Sequence, residues 1–283
     1  MSVKEADRIL AARGRIVEDP ERRSVMRPTR WKRYEAPAVG TASVVFVLTT
    51  WQLAANAGLA GIFLPGPLAI VQAGIKLFQK GDIWVDIATS AEEVAIGYGL
   101  AVVAGLVLGL LMGWYTRFQY ALDPYVNFFY STPRIVLVPL FIVWLGIDIE
   151  SKIAVIFLGA LFPVIINTMA GVRNTEAALL RVARSFGASD ALIFRRVVLP
   201  GSVPFILTGF RLGVGHALTG VVVGELIAAR HGVGKLISDY GVTLQMDKMF
   251  VGVIIIAGSG MLLTTLLGRI EKRFQSWRPD IRR

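Results

Sequence analysis

The chain has 283 residues, of which 54% are hydrophobic and only 18% are charged. This composition excludes an ordinary soluble globule and indicates a protein that lies largely within a membrane. The absence of cysteine excludes disulfides, thiol catalysis and thiolate metal sites. A net charge of +10 would suggest a nucleic-acid partner for a soluble protein. Here the basic residues flank apolar stretches, so we expect contact with membrane lipids and no binding of nucleic acid.

Apolar stretches of about twenty residues, the length that crosses a bilayer, predict six transmembrane helices. Before the second of them, the segment Leu64–Pro67 (LPGP) should end any helix, and a short amphipathic helix is expected at 68–79. The third is interrupted by Pro133 and Pro139, each of which removes a backbone hydrogen bond. The six expected spans are 36–57, 91–115, 121–146, 153–172, 200–228 and 249–269.

The distribution of basic residues predicts the orientation of these helices. Ten Lys or Arg precede the first span, five lie between Arg173 and Arg196, and six follow Leu267, whereas the intervening loops have few. We therefore expect both termini in the cytoplasm. The expected domains are a cytoplasmic basic arm at 1–35, a transmembrane domain at 36–270 with a cytoplasmic loop at about 173–200, and a cytoplasmic basic tail at 271–283.

Small residues recur every four positions in the second and fifth spans, a spacing that lets helix backbones approach closely. We interpret this pattern as packing within one bundle and not as a dedicated dimerisation motif. The residues are Gly97, Ala101, Gly105, Gly109 and Gly113 in the second span, and Gly209, Gly213, Gly220 and Gly224 in the fifth.

Two arginines lie within predicted spans, where each costs roughly 2.5 to 3.5 kcal/mol and is a functional candidate by default. Arg134 and Arg211 are expected roughly 16 to 20 Å from the inner surface, near the middle of the membrane. We hypothesise that they make a central pathway electropositive for a small anion. The alternative is that they bond carbonyls freed at the prolines or pair across helices with Glu225, which itself is assigned either to an outer gate or to a structural bond. The candidate pathway residues are Pro133, Arg134, Pro139, Arg211, His216 and Glu225.

The segment Gly187–Pro200, GASDALIFRRVVLP, lies in the most basic internal loop. Ser189 is suited to cap a short helix, Asp190 to its positive N-terminal dipole, and Arg195 with Arg196 to its C-terminal end. Apolar side chains along this helix would then face a groove in a partner. These side chains are Leu192, Ile193, Phe194 and Val197.

The spacing Gly-x9-Val-x-Leu-Pro in this segment resembles the EAA loop of permease subunits of bacterial ABC importers, written E-A-A-x3-G-x9-I-x-L-P. In the register set by Gly187, the residues Arg181 to Ala183 stand where Glu-Ala-Ala would be, and a literal Glu-Ala-Ala at Glu176–Ala178 is out of register. Further segments look like the nitrate, sulfonate, taurine and bicarbonate branch of these permeases. They are LPGP at Leu64, STPRIVLVPLFIVWLGI at Ser131, LFPVIINTMAGVRN at Leu161 and GVGKL at Gly232.

The resemblance implies a type I ABC importer permease, a six-helix subunit of the bacterial inner membrane with a cytoplasmic coupling helix. It implies two ATPase subunits that bind ATP and Mg²⁺, an external substrate-binding protein and a second permease copy, which we expect to be identical. The chain itself would bind no cofactor or metal, would not be an enzyme, and would pass a nitrate-, sulfonate-, taurine- or bicarbonate-like solute by alternating access. The implied contacts with the ATPase are Gly187, Ala188, Ser189, Asp190, Leu192, Ile193, Phe194, Arg195, Arg196, Leu199 and Pro200.

Other chemistry finds little support in the sequence. Gly234-Lys235 is not a P-loop, because Ala229 stands where that loop needs glycine. His216 and His231 lack metal-ligand spacing. Two alternative functions stay open: an ATP-independent secondary transporter or channel, a class that often shows internal repeats or charge relays, and a non-transporting scaffold. Removal of the ATPase distinguishes them, since a carrier would keep transporting and an ABC permease would stop.

Overall fold

The computed structural model describes residues 30–59 and 61–274, so most of the expected arm at 1–35 and of the tail at 271–283 lies outside the described residues. Every regular element in this part of the chain is helical, with short 3₁₀ helices at Gly61–Phe63 and Arg134–Leu137 and a π-helical turn at Phe194–Val198. The α-helices are α1 (Arg30–Asn56), α2 (Pro67–Lys80), α3 (Ile83–Trp114), α4 (Thr116–Ser131), α5 (Val138–Leu145), α6 (Ile149–Arg173), α7 (Ala177–Ser185), α8 (Asp190–Ile193), α9 (Leu199–Ile227), α10 (Val233–Val242) and α11 (Met246–Phe274).

Five stretches of the described chain are long and apolar enough to cross a membrane. The span expected at 121–146 is instead a bent pair, in which α4 and the segment Arg134–Leu145 meet at 93°. The bend lies at Thr132, which is extended (φ −75°, ψ 126°) because the following Pro133 disfavours helical backbone there. With this pair counted as one span, the predicted all-α membrane fold of six spans is confirmed. The straight spans are Pro37–Asn56, Ile83–Trp114, Ile149–Arg173, Asp190–Ile227 and Met246–Arg273.

The chain divides into two compact units, Met1–Ala57 and Gly58–Arg283. The first contains α1, whose described side chains are mostly exposed. The transmembrane domain expected at 36–270 extends over parts of both units, because most of α1 lies within that range. The second unit contains α2 to α11, and α11 continues past the expected boundary to Phe274.

Helix α6 forms the centre of the second unit, with α3 on one side and α9 on another. In lipid, apolar burial adds little, so helices are held together by close backbone approach and dispersion contacts. The small residues of α3 supply that approach. A Cβ atom on Gly109 would lie 2.6 Å from the Cβ of Thr168, and one on Gly113 would lie 2.5 Å from the Cβ of Val172. Gly209 and the other small residues of α9 meet α6 in the same way, so the prediction of packing within one bundle is confirmed.

Candidate functional site

The motif glycine closes helix α7 with a specific turn. Gly187 has a φ of +71°. Its N–H donates to the carbonyl of Arg184 at 2.9 Å, and the N–H of Ala188 donates to the carbonyl of Ala183 at 3.1 Å. These two bonds form a Schellman C-cap, which requires a left-handed residue and therefore favours glycine.

The next helix begins as expected but does not end as expected. The backbone N–H of Leu192 donates to Ser189 Oγ at 3.4 Å, so the predicted cap is confirmed. The helix then runs without a break over Asp190–Ile227, so the expectation of a separate short helix before the fifth span is wrong.

A π-helical turn explains this continuity. Pro200 has no N–H, and its ring crowds the preceding turn of an α-helix. The N–H of Leu199 bonds to the carbonyl of Phe194, five residues back, which widens the turn just before the proline. The helix therefore continues through Leu199 and Pro200, although the sequence predicted that the fifth span starts at Pro200.

Most apolar side chains of this segment face inward. Ile193 is buried in an internal cluster, and the ring of Phe194 makes a T-shaped contact with that of Trp114 at 5.1 Å. Val197 is half-buried against the same cluster. These contacts hold the segment against α3, α6 and α7. The expectation that Ile193 faces a partner is wrong, because its side chain is buried, whereas contact of the half-buried Phe194 and Val197 with a partner stays a prediction. Leu192 is the exception, with half of its surface exposed.

The exposed side chains around this turn form a mixed apolar and basic surface, which we name the coupling face. Its most exposed apolar residue is Phe186, at 85%. Sequence reasoning missed Phe186 because it precedes the motif glycine, although a large apolar side chain beside a turn glycine is itself a signal. The coupling face consists of Val182, Phe186, Leu192, Arg195 and Arg196. Of the other residues expected here, Ser189 and Asp190 are exposed, whereas Ala188, Leu199 and Pro200 are half-buried.

A second group lies at the bend between α4 and α5. The Nη1 atom of Arg134 lies 2.9 Å from Nδ1 of His216 on α9. A guanidinium only donates, so Nδ1 accepts, and the neutral imidazole carries its proton on Nε2. Gly159 leaves room for the close approach of α6 to His216, since a Cβ atom on this residue would lie 3.1 Å from the carbonyl oxygen of His216. The Nε atom of Arg134 is buried and has no hydrogen-bond partner within residues 30–59 and 61–274.

The remaining pathway candidates are dispersed. Pro133 and Pro139 both follow the bend at Thr132 and are exposed. Arg211 lies on the same helix as His216, but its Nη1 atom is 3.8 Å from Oε2 of Glu271, in the last turn of α11. This partner lies in the last turn of a candidate span, and the expectation that Arg211 lies near mid-membrane stays a prediction.

Glu225 is fully buried at the end of the bundle opposite the coupling face. Its Oε1 accepts from Ser90 Oγ at 2.5 Å, and its Oε2 accepts from the N–H of Gly234 at 2.6 Å. Ser90 Oγ also accepts from the N–H of Val233 at 2.9 Å. Glu225 thus ties α9 to α3 and α10 and does not line an open pathway in this structure. The sequence left two roles open for Glu225, an outer gate or a structural bond. The structure shows the structural bond.

More ionisable groups surround this junction. Asp86 Oδ1 accepts from the N–H of Gly232 at 2.9 Å, and the side chains of Glu93 and Lys152 are buried nearby. Lys152 Nζ donates to the carbonyls of Ile147 and Asp148. Sequence reasoning missed Glu93 and Lys152 because both precede the most apolar part of their helices, although a charge at the edge of a span is a usable signal.

Comparison with known proteins identifies the family. Residues 101–276 match the model described as "Binding-protein-dependent transport system inner membrane component". A putative aliphatic sulfonates transport permease, SsuC of Bacillus subtilis, is 36% identical over 82% of this chain and 84% of its own. The taurine transport permease TauC of Escherichia coli is 31% identical over 89% of this chain and 94% of its own. A probable ABC transporter permease of Brucella melitensis is 37% identical over 80% of this chain and 92% of its own.

Solved structures share the fold. The methionine ABC transporter MetNI, in an inward-facing conformation, superposes with a TM-score of 0.55 at 19% identity, covering 69% of this chain and 94% of that chain. A permease of this family works with a separate ATPase subunit and with a binding protein. The chain belongs to the family of binding-protein-dependent transport system inner membrane components and is the multi-pass permease subunit of an ABC importer.

Proposed function

We propose that this permease imports a small sulfonate-type anion, of the taurine and alkanesulfonate class, and that the anion meets the Arg134–His216 pair inside the membrane. Relatives named for sulfonates and for taurine support the class of cargo. The observation that carries the proposal is the buried, unpaired Nε of Arg134 beside a neutral imidazole.

The chemistry of the pair fits a sulfonate. A buried donor without a partner costs about 1 to 3 kcal/mol, and an anion that accepts from Arg134 Nε would remove that cost. The guanidinium charge acts strongly there, because the surroundings are poorly polar. His216 accepts from Arg134 and so leaves its own Nε2–H as a second donor for a sulfonate oxygen.

The coupling face is proposed to dock on the ATPase, with Phe186 and Leu192 entering a groove and Arg195 with Arg196 pairing with acidic groups around it. Two identical permeases and two ATPase subunits would form the complex. ATP and Mg²⁺ would be bound by the ATPase subunits and not by this chain. The excess of basic residues near the coupling face and the termini supports a cytoplasmic location for all three. Alternating access would follow from the continuous helix Asp190–Ile227, which joins the coupling face to the membrane.

The test is uptake and ATP hydrolysis by the complex of permease, ATPase and binding protein in lipid vesicles, with taurine, alkanesulfonates, nitrate and bicarbonate supplied separately. We expect a sulfonate to stimulate both. The Arg134→Gln variant should lower uptake on the order of tenfold or more, the value of one hydrogen bond to a charged group, and Arg134→Lys should restore part of it. Arg230→Gln is the matched control, because Arg230 is exposed and pairs with an exposed Asp148.

Three results would contradict the proposal. Undiminished sulfonate uptake by Arg134→Gln would remove Arg134 from the pathway. Stimulation by uncharged solutes alone would refute an anionic cargo. Uptake that persists without the ATPase would indicate a secondary carrier.

A further inference from the structure

A polar cavity of about 320 Å³ lies between α9 and the last three turns of α11, away from the sites described above. Its lining differs from the apolar surfaces that dominate this chain, since it combines three cationic side chains with one carboxylate and two hydroxyl groups. The residues are Arg211, Arg269, Lys272, Glu271, Thr264 and Thr265.

The charges of this cavity do not cancel. Arg211 and Glu271 are 3.8 Å apart, too far for a hydrogen bond, so the pair leaves the guanidinium donors available. Arg269 and Lys272 add two further positive charges. The cavity therefore carries a net charge of +2, from three cations and one anion, and attracts a negatively charged group.

Exposed apolar side chains lie on the same face of α11 as this cavity. Ile254 and Met261 are exposed and stand seven residues apart, which places them on the face that carries Thr265, Gly268 and Lys272. The cavity itself lies where α11 ends as a membrane span, with Lys272 and Arg273 in its last turn. Headgroups of a bilayer lie at this level, and basic pockets between helix ends are where anionic headgroups bind.

The cavity is separate from the proposed anion pathway. Arg211 and His216 are five residues apart on one helix, which turns their side chains about 140° from each other. His216 faces Arg134, whereas Arg211 faces α11.

We propose that this cavity binds the phosphodiester headgroup of an anionic glycerophospholipid, with its acyl chains lying along Ile254 and Met261. Phosphate oxygens accept hydrogen bonds from Arg211 and Arg269, and Lys272 adds a point charge. A bound lipid of this kind joins α9, which continues the helix that begins in the coupling face, to α11.

The test is titration of short-chain dioctanoyl-phosphatidylglycerol into the delipidated permease–ATPase complex, followed by calorimetry. Arg211→Gln and Arg269→Gln should each weaken binding about fivefold, the effect of one basic residue near an anionic headgroup. Arg211→Lys keeps the charge and should bind more tightly than Arg211→Gln. Arg273→Gln removes a charge from the same turn but outside the cavity and is expected to bind as the unchanged protein does.

Further probes distinguish a lipid from a free anion. Glycerol phosphate has the headgroup chemistry without acyl chains and should bind more than about tenfold more weakly. Dioctanoyl-phosphatidylcholine, which has no net charge, should also bind weakly. Equal affinity for glycerol phosphate would make this a site for a soluble anion and overturn the lipid proposal. Equal affinity for the two lipids, or unchanged affinity in both Gln variants, would overturn it as well.

Discussion

Replacement of Ser90 by alanine removes two hydrogen bonds that join α3 to α9 and α10. The hydroxyl donates to Glu225 at 2.5 Å and accepts from the N–H of Val233 at 2.9 Å. A bond to a charged group contributes about 1.5 to 3 kcal/mol, and an N–H left buried without a partner costs about 1 to 3 kcal/mol. We therefore expect the free energy of unfolding to fall by about 3 kcal/mol, which corresponds to a melting temperature lower by roughly 6 to 12 °C. Thermal unfolding of the purified permease, followed by tryptophan fluorescence, measures this change.

Ser259→Ala is the matched control. Ser259 lines the same apolar cavity as Ser90 between α3, α9, α10 and α11. Its hydroxyl donates to the carbonyl of Ile256, on its own helix, at 2.8 Å. The loss of such a local bond changes stability by about 0.5 kcal/mol or less. The two variants remove the same atom from the same cavity, so their difference isolates the bonds between helices. Equal melting temperatures for the two variants would refute the reasoning.

Two further predictions concern glycines, each with a control on the same helix. Gly109→Ala should lower the free energy of unfolding by about 1 to 3 kcal/mol, since its Cβ would meet that of Thr168 at 2.6 Å. Gly99→Ala, with no atom within 4 Å, should raise it by up to about 1 kcal/mol. Thermal unfolding that does not separate these variants would contradict the close contact of α3 with α6. Gly187→Ala strains the left-handed turn by about 1 kcal/mol and should lower sulfonate uptake per ATP hydrolysed, whereas Gly201→Ala, also in open space but helical, should not. Unchanged coupling in Gly187→Ala would exclude a role for the turn in docking.

The positions of the spans could be predicted from hydropathy, but not all of their ends. Helix α3 begins at Ile83, eight residues before the expected start at 91. Asp86, in its first turn, lowers the hydropathy without ending the helix, because a tertiary contact accepts it. Its Oδ1 atom binds the N–H of Gly232. Such contacts join residues far apart in the chain, so no local pattern reveals them.

The local chemistry of the segment Gly187–Pro200 was more predictable than the direction of its side chains. The Ser189 cap depends on adjacent residues and could be read directly from the sequence. The direction of the Phe194 side chain could not be read from the sequence, because it depends on contact with Trp114, which belongs to a helix far away in the chain. An apolar residue on an amphipathic helix has either the partner or the chain itself as its neighbour, and only the fold decides between them.

The depth of a charge in the membrane could not be predicted from its distance along one helix. Counting from Pro200 places Arg211 far inside the bilayer, but the helix begins at Asp190 and has 38 residues. It is about 57 Å long, nearly twice the hydrocarbon thickness of about 30 Å, so much of it lies outside the membrane. The pair with Glu271 joins Arg211 to the last turn of α11, where that candidate span ends. Arg134 instead meets His216, more than one turn closer to the opposite end of the same helix. Contacts with other helices thus make Arg134 a candidate for the anion pathway and Arg211 a candidate for binding lipid.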